Sequence, residues 1–214
     1  MQLPPPIGDI KYLYYDDQII VVDKPANMLS VPGKAPENQD CLISRVNRDF
    51  ANARIVHRLD FCTSGIMVIG QNKDTHRELS RQFQERETKK TYIAKVYGNP
   101  RKTSGKVNLP VRCDWERRPR QIVDHKLGKN AETLWQVLEQ YNNCCRMKLT
   151  PITGRTHQLR VHMQAIDHPI LGDEFYAHRE AFSIAGRLNL HAQELTFKHP
   201  SKKNLISFKS DEPF

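Results

Sequence analysis

The sequence predicts an α+β fold with a mostly antiparallel sheet. Strand-like segments come in clusters with few helices between them, and regular strand–helix alternation is absent. The chain has 214 residues and shows neither an internal repeat nor a low-complexity tract, which fits one domain with a substantial core.

Each element follows from a local pattern. Residues 1–15, with Pro4-Pro5-Pro6, read as an extended leader, and residues 16–214 as a single domain. Ile19-Ile20-Val21-Val22 is a β-branched run stopped by Lys24-Pro25 and predicts a buried strand. Asp40 is placed to cap a helix in which Leu42, Val46 and Phe50 recur at four-residue spacing. Ile66-Met67-Val68-Ile69 predicts a second buried strand. Thr75 with Glu78 forms a capping box, and Leu79 and Phe83 mark the inner face of the helix it opens. Tyr92 to Tyr97 alternates with strand period, and residues 131–149 read as two strands around a turn at Asn142-Asn143. Thr156 caps a last predicted helix, whose stripe Leu159, Met163 and Ile166 faces the core while His157, Arg160 and Gln164 share another face. Leu188 to Phe197 supplies late strand material that ends at His199-Pro200.

The charge balance narrows the partner. The net charge is +9 and the pI near 9.4, which favours a polyanion such as nucleic acid over an acidic metabolite. Residues 101–130 carry nine lysines and arginines against three carboxylates, so most of the surplus sits there. Such a run is either a solvated loop or an RNA contact. Trp115 and Pro119, set among Arg117, Arg118 and Arg120, favour the RNA contact. Mean hydropathy is −0.65, and neither a membrane-length apolar run nor a signal-peptide pattern occurs, so a cytoplasmic protein is expected. The five cysteines lack Cys-x-x-Cys spacing, which predicts reduced thiols rather than zinc ligands or a disulfide framework.

Two blocks carry chemistry. In Ile55-Val56-His57-Arg58-Leu59-Asp60-Phe61-Cys62-Thr63-Ser64-Gly65, one carboxylate stands between potentially cationic side chains and a polar turn, just before a buried strand. That arrangement points to a single-carboxylate enzyme acting on a polyanion. The second block, Thr153-Gly154-Arg155-Thr156-His157-Gln158-Leu159-Arg160-Val161-His162-Met163, is cationic and opens a helix. On residue chemistry alone Arg160 fits a solvent-facing helical position as well as an ion pair, and Tyr92 fits a core strand as well as a site. Ser64 lacks the Gly-x-Ser-x-Gly elbow of a serine hydrolase. Asp173, in Leu-Gly-Asp, reads as a turn residue.

These blocks resemble the RluA family of RNA pseudouridine synthases. His57 to Asp60 with Thr63 to Gly65 matches HRLD-x-x-TSG, Lys90-Thr91-Tyr92-Ile93-Ala94 matches Lys-x-Tyr-x-Ala, and Gly154 to His162 matches GRTHQ-x-R-x-H. Weaker echoes lie in Lys24-Pro25, in Pro169 to Asp173 and in Leu190-His191-Ala192. Ala26-Asn27 departs from the family's glycine after Lys-Pro, at a turn where Asn tolerates a left-handed backbone. The resemblance implies the pseudouridine synthase fold, a bent sheet with an RNA cleft, and residues 16–214 as a catalytic domain without an S4-like domain.

It further implies an isomerase that breaks the glycosidic bond of a flipped uridine and rejoins the base through carbon, without metal or cofactor. Asp60 resembles the catalytic aspartate, Tyr92 the residue stacked on uracil, and Arg160 the cation paired with the acid. Arg58, His57, Arg155 and His157, together with Trp115, Arg117, Arg118 and Arg120, are expected to contact RNA, and His57 also to serve as a structural hydrogen-bonding partner. Within the family the match is strongest to members acting on both 23S rRNA and the tRNA anticodon loop, and a monomer with no obligate protein partner is expected. A synthase specific for one of these RNAs is the alternative. A non-catalytic RNA-binding protein would not need the acid, and a metal-dependent nuclease would show more clustered carboxylates than His57-x-x-Asp60.

Overall fold

The computed structural model describes residues 8–214. The elements run β1 (Lys11–Tyr15), β2 (Ile19–Lys24), α1 (Leu42–Asp49), β3 (Arg54–Ile55), β4 (Ser64–Gly70), α2 (Lys73–Gln84) and β5 (Lys89–Tyr97). They continue with β6 (Ser104–Asn108), β7 (Val111–Cys113), β8 (Gln121–Val123), β9 (Glu132–Gln140), β10 (Cys144–Pro151), α3 (Gln158–Ala165), α4 (Arg179–Ser183), β11 (Leu190–Lys198) and β12 (Leu205–Lys209). This is the α+β class expected. The span expected as one domain divides into two compact units: the chain up to Lys90 with Ala192–Pro213, and Thr91–His191 with Phe214.

In the first unit β2 lies between β1 and β4, antiparallel to both, and all four of Ile19 to Val22 are fully buried. Period-two alternation sends Ile19 and Val21 to one face, where Ile66, Val68, Leu195 and Phe197 join them. Leu79 and Phe83 of α2 close that face, as their spacing predicts. Each such side chain contributes about 1.5–3 kcal/mol on burial. Gln82 secures the far end of α2, its amide pairing with the N–H and carbonyl of Lys198 at 2.9 and 3.0 Å.

Several local expectations in this unit are revised. The segment read as leader includes β1, whose Lys11–Tyr15 pair with Asp23 to Ile20, while Pro4-Pro5-Pro6 lies outside the described residues. Asp40 does not cap α1. Its carboxylate grips Arg45 through two bonds of 2.8 Å, because a guanidinium fork is a stronger partner than one backbone N–H, and Cys41 takes the cap with Ser44. Asn72, not Thr75, caps α2, its side chain accepting from the N–H of Thr75 at 2.9 Å, while the Thr75 hydroxyl donates to Gln18. β12, beyond His199-Pro200, pairs with β11 and was not expected.

In the second unit the strand order is β5-β10-β9-β6, with antiparallel pairing throughout. β9 and β10 turn at Tyr141 to Asn143, as the Asn142-Asn143 pair predicts. Gly105 sits opposite Trp135, and a Cβ there would lie 2.6 Å from the indole, so only glycine admits the ring. β7 and β8 form a separate two-stranded ribbon. Cys145 is buried and Cys144 half-buried on the other face of β10, and none of the five cysteines forms a disulfide. α3 starts at Gln158 rather than after a Thr156 cap, with His157 left-handed (φ 52°) before it. Gln158 to Met163 are all buried, so of the shared polar face His157 and Arg160 are enclosed while Gln164 is exposed.

Candidate active site

Asp60 stands in the loop between β3 and β4, half-buried, and the loop is tied down at several backbone points. The Ser30 hydroxyl donates to the Leu59 carbonyl at 2.9 Å and accepts from the Leu59 N–H at 3.3 Å. Lys24 is fully buried, and its ammonium donates to the carbonyls of Pro25, Met28 and Phe61 at 2.8, 2.9 and 3.3 Å. One ammonium thus stitches the Lys24-Pro25 turn to the residue after the acid. Asn27 takes φ 57°, which asparagine tolerates in place of glycine. The Asp60 carbonyl accepts from the Thr63 N–H at 3.1 Å, closing the turn into β4.

Gly65 explains the Thr-Ser-Gly ending. Its φ is +119°, and a Cβ there would lie 2.3 Å from the Ala192 carbonyl oxygen, so the approach of β4 to β11 excludes every other residue. The loop carrying Asp60 is therefore set against the sheet by backbone proximity.

His57 is built into the fold. Its ring stacks on Phe83 with centroids 4.4 Å apart and planes at 16°, and its Nε2 accepts from the Val68 N–H at 3.1 Å. An imidazole accepting there is neutral. Burial, and secondarily the Lys90 ammonium, push its pKa down to about 3. Burial, with Arg86 beside it, lowers the Lys90 pKa too. Arg58, in contrast, is exposed and has no ion-pair partner among the described residues.

In the second unit Tyr92 is half-buried on β5 across from Leu149 of β10. Arg160, 1% exposed, donates from Nε and Nη2 to the two oxygens of Asp173 at 2.7 Å each, and its guanidinium lies 5.1 Å from the ring centres of Phe175 and Tyr176. Asp173 is fully buried and also accepts from the N–H groups of Phe175 and Tyr176 at 2.9 and 3.2 Å. Its turn role thus includes holding one edge of the guanidinium.

His157, expected at an RNA-facing helix start, is 9% exposed, and its Nδ1 lies 2.7 Å from the Tyr176 hydroxyl. That hydroxyl also accepts from the Gln121 N–H at 2.8 Å. Arg155 is exposed and donates to the Asn130 carbonyl at 3.1 Å. At the tip joining β7 to β8, Trp115 is 65% exposed with the Arg118 guanidinium 3.7 Å over its ring, while Arg117 donates to Asp114 at 2.8 Å. Arg120 is half-buried, 5.5 Å from the Phe175 ring centre.

A family model described as RNA pseudouridylate synthase matches residues 18–165, a span containing Asp60, Tyr92 and Arg160. The chain belongs to the RNA pseudouridylate synthase family. Its activity is the isomerisation of uridine to pseudouridine in RNA. The synthase is 53% identical over 203 residues to the "dual-specificity RNA pseudouridine synthase RluA" of Yersinia pestis, covering 94% of this chain and 98% of that one. It is 50% identical over 212 residues to the protein of the same name in Escherichia coli K12, covering 99% and 97%. Among solved structures it is similar to human RNA pseudouridylate synthase domain containing 1, with TM-score 0.82, 27% identity, and 99% and 86% of the two chains covered. The fold is accordingly that of the pseudouridine synthases.

Sequence reasoning missed several residues that hold this synthase's site elements in place. Gln158 is a hub: its Oε1 accepts from the Thr153 hydroxyl at 2.7 Å and the Arg155 N–H at 3.0 Å, and its Nε2 donates to the Glu132 carbonyl and Thr133 hydroxyl at 2.9 and 3.0 Å. The Thr133 hydroxyl, already accepting from Gln158, donates to His162 Nδ1 at 2.9 Å, so the other ring nitrogen donates to the Leu109 carbonyl. Burial lowers the His162 pKa, in keeping with a neutral ring. Three polar residues inside the second motif, each with a buried partner, were the available signal. Lys24 and Ser30 gave a weaker one, Lys24-Pro25 alone.

Proposed function

We propose that this synthase modifies both 23S rRNA and the tRNA anticodon loop, in the cytoplasm, as a monomer without an obligate protein partner or cofactor. The two-RNA reading rests on about 50% identity, over nearly their whole lengths, to relatives named for dual specificity. The catalytic assignment rests on one observation: Asp60 is carried on a loop fixed through Ser30, buried Lys24 and Gly65, the preorganisation a reacting carboxylate needs. Asp60 acts on the flipped uridine, Tyr92 stacks on its uracil, and Arg160 supplies donors that keep the acid oriented. Asp173 fixes the Arg160 guanidinium through two bonds. Exposed Arg58 reaches RNA, as do Arg155 and the tip carrying Trp115, Arg117, Arg118 and Arg120; His57 and His157 shape the surfaces beside it.

Asp60→Asn tests the assignment. The variant is expected to fold and bind RNA while forming no pseudouridine, detected by chemical site mapping because the product is an isomer of equal mass. Clear turnover would move the catalytic role elsewhere. Incubating the wild type with total RNA from a strain lacking the enzyme should yield new sites in both 23S rRNA and tRNA; sites in one alone would establish a single-substrate enzyme.

A further inference from the structure

The three arginines of the tip are not equivalent. Arg117 is committed to Asp114, and Arg112 at the tip's base to Asp124. Arg120 is half-buried beside Phe175. Arg118 is exposed, no carboxylate pairs with it among the described residues, and its guanidinium carbon sits over Trp115, 3.7 Å from the ring centre. Trp115 keeps 65% of its surface open despite that cover. An exposed tryptophan is costly to leave in water, and the backbone that carries this one is hydrogen-bonded in place. The Asp114 N–H donates to the Arg120 carbonyl at 2.9 Å, the Arg120 N–H to the Arg117 carbonyl at 3.0 Å, and the Gln121 N–H to the Tyr176 hydroxyl at 2.8 Å. Little ordering entropy remains to be lost on binding.

We infer that Trp115 and Arg118 form a clamp for one unpaired nucleotide of RNA, with the base stacked on the indole and Arg118 meeting the adjoining phosphate. The inference rests on the RNA-modifying function and adds which nucleotide state the tip takes and which arginine takes the phosphate. Charge decides for this occupant. Residues 101–130 carry nine cations against three carboxylates, which suits a polyanion, and the aromatic face suits a base freed from its stack. A paired duplex offers the phosphates without the base face.

The test uses Trp135→Phe, which leaves Trp115 as the single tryptophan of the chain. Indole emission is titrated with oligouridylate and with a fully paired RNA of equal length, while anisotropy of labelled RNA reports binding independently. Saturable quenching by the single strand, and much less by the duplex, is expected. Trp115→Ala should raise Kd for the single strand roughly 5- to 150-fold, the range for loss of one base–aromatic stack, with Trp115→Phe recovering part of it. Arg118→Gln should flatten the log–log salt dependence by roughly 0.7, and Arg117→Gln by less. Unchanged emission while anisotropy shows the single strand bound would overturn the clamp, as would a salt slope for Arg118→Gln equal to wild type. Pseudouridine formation by the wild type is followed in parallel. Isomerisation without quenching removes the clamp alone; quenching without isomerisation removes the functional reading alone.

Discussion

Replacing His57 with glutamine should remove a pH-dependent loss of stability that the folded protein owes to that ring. The neutral imidazole accepts from the Val68 N–H at 3.1 Å and stacks on Phe83, with the Lys90 ammonium nearby. Protonation would turn the acceptor into a donor facing a donor. Burial, with the Lys90 ammonium second, lowers the pKa from the ordinary 6.5 to about 3. A folded-state pKa below the unfolded one means the unfolded chain binds the extra proton first. The ring's contribution is thus fully present above pH 6.5 and is lost as pH falls through the interval down to the folded value. Between pH 7 and pH 5 the linkage amounts to about 2 kcal/mol. In this window the depressed carboxylates, such as Asp16 and Asp40, remain ionised in both states and contribute little. The assay is urea denaturation at pH 7 and pH 5 for wild type and His57→Gln, with the imidazole followed by NMR. His57→Gln costs some stability at pH 7 through the lost stack, yet its own decline toward pH 5 should be shallower by about 2 kcal/mol. Parallel declines, or an imidazole that titrates above pH 5 in the folded protein, would refute the reasoning.

Two further changes probe how the site elements are held. Gly65→Ala places a Cβ 2.3 Å from the Ala192 carbonyl at φ +119°, so a loss of about 4 kcal/mol is expected from combined overlap and backbone strain, read from denaturation midpoints; a loss under about 1 kcal/mol would mean the strands simply part. Asp173→Ala takes the acceptor from two guanidinium N–H groups and two backbone N–H groups in a buried setting, and should cost about 3–5 kcal/mol, whereas a near-neutral result would show that solvent or rearrangement replaces the carboxylate.

Some of this protein was legible from sequence because it depends on local periodicity. Ile19 to Val22, Ile66 to Ile69 and Tyr92 to Tyr97 alternate or run apolar over a strand's length, and they became β2, β4 and β5. The Leu79 and Phe83 stripe faced the core because a helix repeats every 3.6 residues whatever it packs on. Asp60 stood out because a lone acid among cations before a buried strand is unusual in any context. Caps were misplaced at Asp40, Thr75 and Thr156 because several neighbouring residues can serve, and tertiary partners choose among them: Arg45 took Asp40, and Gln18 took the Thr75 hydroxyl. The short strands β1, β7, β8 and β12 exist through pairing rather than through their own pattern. His157, Arg160 and Gln164 share one helix face in the sequence, yet Tyr176 and Asp173, distant in sequence, enclose His157 and Arg160 while Gln164 stays exposed. Local pattern fixes which segments extend or coil. Which polar side chains are spent on the fold, and which remain for RNA, depends on long-range partners that only the folded chain brings into reach.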